Sequence, residues 1–303
     1  MHRRVDVAVI SGGSRDFSSY TDGLASVFKP TEAVEFAFVR FAELCPGSVL
    51  RQRVQYLIDY SYGVYGQVHL IGRLLAIPVL GNPQFAASVY NKVLLKEVLL
   101  AHQLHTPRYL LINSANELSE KCLERSAELI SSKVIVKPAS ADALSKGISL
   151  WNGDAGELMT AVRLAFEQDS NVILEEFIEG EEYCAGFIPV GSGWEVLPPA
   201  RVAKGGPIFD HEIKRKGNYE FIFEHMDERL KTELAHIASV ISQHFGLLEP
   251  FYVNYFRRPS GELEVFDCGS RVGLSAQSYF PLAMQRAQKD WRIFLRELFV
   301  GFI

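Results

Sequence analysis

The segment whose residue types most clearly suggest a chemical role runs from Val134 to Trp151. A β-branched strand ends at Lys137, a polar loop with Ser145 and Gly147 follows, and a second apolar run closes the segment. Backbone N–H groups and a hydroxyl on such a loop can contact phosphate oxygens, while the lysine supplies a point charge. The same pattern is typical of a plain hairpin with a solvated loop. The segment therefore indicates a triphosphate site without deciding the matter.

An acidic segment follows in residues 172–183. An apolar strand runs into Glu175, and Glu182 lies seven residues further on. A lysine strand followed at this distance by such a segment resembles the ATP-grasp superfamily. The resemblance implies that Glu175 and the backbone amides of Phe177 and Ile178 hold the adenine edge of ATP. It also implies that Glu182 holds the ribose hydroxyls. We expect the remaining glutamates of the segment to be solvated: Glu176, Glu179 and Glu181.

The N-terminal motifs narrow the resemblance to the D-alanine:D-alanine ligase branch of that superfamily. A GGS corner, a YGVYGQ stretch, an IPVLG strand and a Tyr-Asn-Lys triplet ending at Lys92 follow one another as in that family. The resemblance implies that Lys92 binds nucleotide phosphate. It also implies that Asp16 and Tyr62 bind substrate, with Tyr62 standing where the family has a histidine. Helical periodicity alone predicts instead that Lys92 and Lys96 form a solvated helix face.

Residues 208–215 resemble the loop with which these ligases close over the reaction. The resemblance implies that Lys214 reaches the γ-phosphate, and that Lys214 and Ser145 bind ATP and take part in catalysis. His211 replaces a tyrosine of the substrate wall. Closure that excludes water suits an acyl phosphate, which hydrolyses when exposed. Without the resemblance, a charged surface loop would be the favoured interpretation.

A hairpin near the C-terminus occupies the place where ATP-grasp enzymes hold magnesium through oxygen ligands. The family pattern of an acid, then Glu-x-Asn, is replaced here by Asn254, Asp267 and Gly269. The resemblance implies Asp267 and Asn254 as the metal ligands, and only Asp267 is anionic. One Mg²⁺ ion is easier to accommodate there than two. The family arginine two residues before the first acid is Tyr252.

A second basic group follows the hairpin. Arg271 lies four residues after Asp267, where other ATP-grasp ligases that join L-amino acids carry an arginine. The resemblance implies that Arg271 neutralises the acyl phosphate or the phosphoryl group in transfer. A structural ion pair between Arg271 and Asp267 is the alternative. Gly273 and Ser278 match positions that bind the tetrahedral intermediate and the substrate carboxylate.

The elements that must position these residues alternate between strands and helices at the start of the chain, which predicts a parallel sheet. Later segments predict a strand from Trp194 to Val202, a flexible turn from Lys204 to Pro207 and a closing helix from Gln288 to Phe299. The resemblance implies an α/β ATP-grasp fold of three subdomains, with ATP between the last two. These are a substrate-side domain, a central lid domain, and a C-terminal metal and substrate domain, expected at residues 1–85, 86–188 and 189–303.

Composition excludes several classes of protein. The chain has 303 residues, of which 48% are hydrophobic, and a net charge of -5, so nothing favours binding to nucleic acid or to an anionic membrane. No apolar stretch approaches the ~20 residues that span a bilayer. The N-terminus lacks export features, and the four cysteines are scattered, so we expect a cytoplasmic protein with reduced thiols.

The resemblance implies an ATP-dependent ligase that activates an amino-acid-like carboxylate and forms an amide or peptide bond. The altered metal positions and substrate walls favour a divergent substrate over an ordinary cell-wall ligase. A nucleotide-binding protein with little catalysis, regulatory or scaffolding, is the alternative. Intramolecular ring closure by the same activation chemistry also stays open. Homodimerisation is an expectation from the resemblance alone.

Overall fold

Three sheets organise the chain in a computed structural model. The structure describes residues 5–11, 27, 34–40, 54–60, 66–113, 131–140, 145–153, 155–269 and 271–301. Asp16 and Tyr62 lie outside these ranges. Within them, no helix has the length and apolar character that crossing a membrane requires.

The N-terminal sheet has four parallel strands in the order β2-β1-β3-β4. Four consecutive residues of β1, from Val7 to Ile10, are buried, which is expected of a parallel strand covered on both faces. The parallel sheet predicted for the start of the chain is thereby confirmed. The elements are β1 (Val5–Ser11), β2 (Val34–Arg40), β3 (Tyr56–Asp59), helix α1 (Gln67–Leu75) and β4 (Val79–Leu80).

The central sheet is antiparallel, in the order β5-β8-β6-β7, and one helix packs against it. The predicted hairpin around the phosphate loop is confirmed as β6 and β7. Val134, Val136 and Leu174 form a small core with Trp151 and the apolar face of the helix. The elements are β5 (Tyr109–Ile112), β6 (Val134–Pro138), β7 (Ser149–Trp151), helix α4 (Ala155–Phe166) and β8 (Val172–Glu176).

The C-terminal sheet has six strands, with β12-β11-β9-β13-β14 in order and β10 paired to β9. Its strands are β9 (Glu181–Val190), β10 (Gly193–Val196), β11 (Ala200–Lys204), β12 (Tyr219–Phe223), β13 (Phe251–Arg257) and β14 (Leu263–Gly269). The predicted strand from Trp194 to Val202 is divided into β10 and β11 because Pro198 and Pro199 have no N–H to donate. The predicted C-terminal hairpin is confirmed as β13 and β14.

Three helices cover one face of this sheet: α2 (Pro83–Tyr90), α3 (Lys92–Ala101) and α6 (Glu228–Phe245). Phe85 and Leu95 from the first two share a core with Phe251 and Val265 of the hairpin. Helices α2 and α3 therefore pack with the C-terminal sheet, which also takes in the whole of β9. The expected subdomain boundaries at residues 85 and 188 stay predictions.

The remaining helices are α5 (His211–Lys216), α7 (Tyr279–Arg286) and α8 (Trp291–Val300). Residues 208–215 were expected to form a loop, but most of them belong to helix α5. The Asp210 side chain caps this helix by accepting a hydrogen bond from the Ile213 N–H. The closing helix begins three residues later than predicted, since Asp290 caps its first turn. Strand β12 and helices α2 and α7 were not predicted.

Two cysteines fall within the described ranges, and both are reduced and buried. Cys184 and Cys268 are free thiols, and burial raises the pKa of each well above its usual range. Such thiols are poor nucleophiles and poor metal ligands at neutral pH. This agrees with the interpretation from sequence for these two residues.

Candidate active site

One cavity of about 550 Å³ lies between the central and C-terminal sheets. The predicted site residues that line it are Lys92, Lys137, Ser145, Glu175, Phe177, Ile178, Glu182, Lys214, Asn254, Asp267, Arg271, Gly273 and Ser278. His211 is described as the first residue of α5 but is not among the lining residues. The chain thus brings together residues that are far apart in sequence.

A buried carboxylate holds two lysines at the inner end of the cavity. The Lys137 Nζ lies 2.5 Å from one oxygen of Glu175, and the Lys96 Nζ lies 2.6 Å from the other. Burial opposes ionisation of Glu175, but the two lysines outweigh it and hold its pKa below the usual range. The cluster fixes Lys137 where it faces the cavity.

Lys96 is a part of this cluster that periodicity assigned wrongly. Its side chain is fully buried rather than solvated, and its Nζ also donates to Thr106 Oγ1 at 2.9 Å and to the Pro107 carbonyl at 3.0 Å. Burial lowers its pKa, although Glu175 acts in the opposite direction. Its position on the same helix face as Leu99 was the available signal, because a lysine on an apolar face needs a buried partner.

The acidic segment at residues 172–183 offers fewer free backbone N–H groups for the adenine than the resemblance implies. The Phe177 N–H donates to the Lys133 carbonyl at 3.1 Å, and the Glu176 N–H donates to the Arg108 carbonyl at 2.8 Å. Within the described ranges, the Ile178 N–H makes no such backbone bond. Ile178 is therefore the better backbone donor for a base.

Two rings that sequence reasoning missed also line this end of the cavity. Phe256 and Phe266 stack with centroids 4.6 Å apart and planes 24° from parallel. Phe266 faces the cavity because a bulge in the β13–β14 pairing sets it beside Asp267 instead of on the opposite face. The stacked rings give a flat apolar surface of the kind that accepts a heterocycle.

The other glutamates of the acidic segment divide into two groups. Glu182 is buried and forms an ion pair with Lys204, which ends β11 instead of lying in the expected flexible turn. Glu176 is also paired, with Arg108 at 2.9 Å and Arg258 at 3.3 Å, so the expectation that it is solvated was wrong. Glu179 and Glu181 were also expected to be solvated, and both side chains are mostly exposed.

Lys214 connects the phosphate loop to helix α5. Its Nζ donates to the Ser145 hydroxyl at 2.6 Å and lies 4.7 Å from the centroid of the Phe209 ring. Burial lowers the pKa of Lys214, while Asp267 and Glu182 act in the opposite direction. Two of the predicted catalytic groups, Lys214 and Ser145, are therefore in direct contact in the lining of the cavity.

Two hydrogen bonds position Lys92 at the start of α3. The Asn91 side chain caps α3 by accepting from the Val93 N–H at 3.1 Å, and the Lys92 N–H donates to the Ala139 carbonyl at 2.9 Å. Burial lowers the pKa of Lys92, and Asp267 partly offsets that effect. Lys92, the first residue of α3, thus links this helix to the start of the polar loop between β6 and β7.

The hairpin places Asp267 opposite Asn254 as a cross-strand pair, and both line the cavity. A carboxylate and an amide oxygen suit one Mg²⁺ ion that keeps waters and takes other ligands from phosphates. No group of three or more His, Cys, Asp or Glu side chains with metal-binding geometry occurs in the described part of the chain. The residues present therefore fit one ion and do not fit a pair.

Arg271 is held by a carboxylate that the sequence did not indicate. Its Nη2 lies 2.7 Å from Asp59 Oδ2, at the end of β3 in the N-terminal sheet, and both side chains are buried. The alternative of an ion pair with Asp267 was wrong. His69 Nδ1 lies 3.6 Å from the same oxygen of Asp59. The N-terminal sheet thus contributes to the cavity by positioning Arg271.

The last predicted substrate residues lie where β14 leads into α7. The hydroxyls of Ser278 and Ser275 are 2.7 Å apart, and Ser278 is the residue before the first turn of α7. Tyr279 fixes this turn, since its hydroxyl accepts from the Gly186 N–H at 2.8 Å and donates to the Pro198 carbonyl at 2.9 Å. Gly273 and Ser278 both line the cavity.

Comparison with protein families assigns the chain. A family model described as D-ala D-ala ligase C-terminus matches residues 98–299. The chain belongs to the D-alanine:D-alanine ligase family. Among curated relatives of this family member, the D-alanine–D-alanine ligase of Coprothermobacter proteolyticus is 28% identical over 244 residues, which are 78% of this chain and 77% of that protein.

Solved structures of this family share the fold. The VanG D-Ala:D-Ser ligase from Enterococcus faecalis matches with a TM-score of 0.82 and 18% identity, covering 99% of this chain and 100% of that chain. A D-alanine–D-alanine ligase from Bacillus anthracis complexed with ATP matches with a TM-score of 0.76 and 18% identity, covering 97% and 96%. The predicted ATP-grasp fold class is therefore confirmed.

Proposed function

We propose that this family member is an ATP-dependent carboxylate–amine ligase that activates an amino-acid-like acid as an acyl phosphate. The observation that supports this most is the meeting of Lys92, Lys137 and Lys214 around one cavity with Asp267. The three lysines come from α3, β6 and α5, so the charge that binds a triphosphate depends on the whole fold. Substrates that differ from those of the named relatives fit the altered residues at positions 62, 252 and 254.

ATP binds between the central and C-terminal sheets in this proposal. The Ile178 N–H and the Phe256–Phe266 rings face the base, Glu182 faces the ribose, and the lysines face the phosphates. The ATP complex of the Bacillus anthracis ligase supports a nucleotide site in this fold. Because Glu175 is already shared by two lysines, its main contribution is to fix Lys137.

The chemistry proceeds in two steps. A carboxylate oxygen of the acid attacks the γ-phosphorus, the bond to ADP breaks, and an acyl phosphate forms. An amine nitrogen then attacks the acyl carbon, and inorganic phosphate leaves as the amide forms and a proton is released. Lys92 and Lys214 stabilise the phosphoryl group in transfer, and Arg271 stabilises the acyl phosphate. The contact between Lys214 and Ser145 closes the cavity against water.

A divalent ion, when bound by Asp267 and Asn254, would neutralise part of the phosphate charge. Everything else in the reaction depends on side chains of this chain. The cavity thereby supplies positive charge mainly from lysine and arginine, with Asp267 as the anionic group that faces Lys92 and Lys214.

The proposal is tested by ADP release across a panel of D- and L-amino acids, with hydroxylamine present to trap the acyl phosphate. We expect ADP and a hydroxamate to appear together with one acid and to require Mg²⁺. The variant Asp267→Asn should lose both products. The matched control is Glu262→Gln, which removes an exposed carboxylate on the same hairpin and should keep both. ADP release without hydroxamate for every acid would contradict the proposal.

A second candidate function is nucleotide binding with little catalysis, and the sparse carboxylates of the hairpin favour it. The variant Asn254→Asp distinguishes the two, because it adds an acid opposite Asp267 in the cross-strand pair. If both wild type and Asn254→Asp bind ATP and neither releases ADP with any acid, the binding protein is the better description.

A further inference from the structure

Glycine at position 269 leaves room for the ring of Tyr252 where that ring lies in this structure, and its backbone conformation does not require glycine. Gly269 is absent from the described glycines with positive φ, so its backbone is open to any residue. A Cβ built there would overlap the Cε1, Cζ and hydroxyl oxygen of Tyr252, all far closer than the 3.0 Å below which real Cβ contacts essentially never occur. Tyr252 and Gly269 are directly paired across β13 and β14. The Tyr252 ring therefore occupies the volume of a side chain at position 269.

This arrangement leaves the cavity face of the hairpin as three successive layers. Tyr252 lies over Gly269, the polar pair of Asn254 and Asp267 comes next, and the stacked Phe256 and Phe266 rings follow. One polar layer thus lies between two aromatic layers. Among the described residues, the side-chain oxygens on this hairpin face are those of Asp267, Asn254 and the hydroxyl of Tyr252.

We propose that Tyr252 and Gly269 form one steric unit that restricts the hairpin to a single divalent-cation position, held by Asp267 and Asn254. Two-metal sites place ions about 3.5–4 Å apart and bridge them with shared anionic ligands. Here the space for a further ligand from position 269 is filled by the Tyr252 ring. The inference rests on the proposed function only in taking ATP as the ligand that completes the site.

The lysines explain how the cavity works with less metal charge. Lys92, Lys137 and Lys214 line the same cavity as Asn254 and Asp267, so three ammonium groups share it with the polar layer of the hairpin. Fixed cations of this kind take over the role of the absent second ion towards the phosphates. Tyr252 is thus a residue that determines the cation count of the site.

The first test is a titration of Mn²⁺ into the full-length protein saturated with a non-hydrolysable ATP analogue, with free Mn²⁺ counted by electron paramagnetic resonance. The inference predicts one Mn²⁺ per nucleotide complex. Two Mn²⁺ ions of comparable affinity would overturn it. A count of one with no hydroxamate from any acid would leave this inference standing and count against the proposed ligase activity. A count of two with hydroxamate would do the reverse.

The steric unit is tested by a double-mutant cycle read out as the midpoint of thermal unfolding. Gly269→Asn should lower the midpoint because the Tyr252 ring must leave its position, and Tyr252→Ala should cancel most of that loss in the double variant. The matched control is Gly193→Asn in β10, where an added Cβ meets only the Val190 carbonyl at 4.0 Å and should change little. A wild-type midpoint for Gly269→Asn, or purely additive effects, would overturn the steric unit. If Gly269→Asn does not fold, the double variant still reports, because it should fold.

Discussion

The two ends of the cavity differ in how their charges are compensated. At the nucleotide end, Glu175 is shared by Lys96 and Lys137, and Glu182 is paired with Lys204. At the hairpin end, Asp267 faces Lys92 and Lys214, which are partly desolvated and without a side-chain ion pair in the described residues. The two ends carry similar formal charge, but every lysine at the nucleotide end is in a direct ion pair, whereas Lys92 and Lys214 at the hairpin end are in none among the described residues.

Because of this difference, we expect the nucleotide end to contribute mainly to stability and the hairpin end mainly to the reaction. When one member of a buried cluster of a carboxylate and two lysines is removed, the fold is destabilised. Ammonium groups that are desolvated but not paired are ready to receive an anion, and a triphosphate would supply it. We therefore expect mutations at the nucleotide end to affect folding, and mutations at the hairpin end to affect catalysis.

The largest effect is expected from Glu175→Gln. It leaves two buried lysines without their carboxylate, so the free energy of unfolding should fall by about 3–5 kcal/mol. Urea denaturation monitored by circular dichroism measures this. The control is Glu179→Gln, whose exposed carboxylate pairs with Lys133, and we expect no measurable change there. Equal stability of the two variants would contradict the comparison.

The same cluster has a signed dependence on pH. The folded-state pKa of Glu175 lies below its usual range, so its stabilising contribution is present above the unfolded-state pKa. It is lost as pH falls through the folded-state pKa. The stability difference between wild type and Glu175→Gln should therefore shrink in acid and stay constant near neutral pH.

The next largest effect concerns the hairpin end. Lys214→Ala should lower hydroxamate formation by about 10²–10³-fold, since it removes one preorganised donor from the phosphoryl group. Lys216→Ala is the matched control on the same helix, because Lys216 is exposed and pairs only with Glu212 among the described ion pairs. Unfolding midpoints should stay close to wild type for both. Equal rates for the two variants would remove Lys214 from the proposed mechanism.

A smaller effect is expected from Asp59→Asn, which keeps shape but removes the charge that holds Arg271. The Arg271 guanidinium would then be held less firmly and would stabilise the acyl phosphate less, and a loss of about 1.4–2.7 kcal/mol in the barrier corresponds to a 10- to 100-fold fall in hydroxamate formation. Affinity for the ATP analogue should not change, because Asp59 acts on Arg271 and not on the nucleotide. Glu195→Gln, which breaks an exposed pair with Lys289, is the control. A loss of nucleotide affinity in Asp59→Asn would contradict this role.

The smallest effect is a weakening of nucleotide binding at alkaline pH. Burial lowers the pKa of Lys92 and Lys214, so each loses its proton at a lower pH than the usual value of about 10.4. Only the charged forms attract phosphate, so affinity should decrease as pH rises through the lowered values. Isothermal titration from pH 7 to pH 10 measures this, and Lys214→Arg should delay the decrease because guanidinium keeps its proton. A constant affinity across this range would indicate that the two lysines are not desolvated.

The parts of the site that were predicted from sequence are those defined by local pattern. The β-branched run before Lys137 and the polar loop after it specify a strand end by short-range chemistry. The same reasoning could not predict the bulge that turns Phe266 towards the cavity, because a bulge changes the facing of residues without changing the pattern.

The partners of the charged residues were beyond prediction. Arg271 and Asp59 come from different sheets, and nothing in the sequence around either residue points to the other. Lys204 follows a strand and precedes a Gly-Gly-Pro turn, which hid its pairing with Glu182. Asp16 and Tyr62 stay predictions, since they lie outside the described residues, and His211 stays one because it does not line the cavity.

The most direct test of the account follows the oxygen atom in the first chemical step. An acid that gives hydroxamate is prepared with ¹⁸O in both carboxylate oxygens, and the inorganic phosphate released during amide formation is analysed by mass spectrometry. Activation as an acyl phosphate predicts one ¹⁸O atom in each phosphate, because the carboxylate oxygen that attacks phosphorus leaves with it. Phosphate without ¹⁸O would show that ATP is hydrolysed by water and would contradict the account.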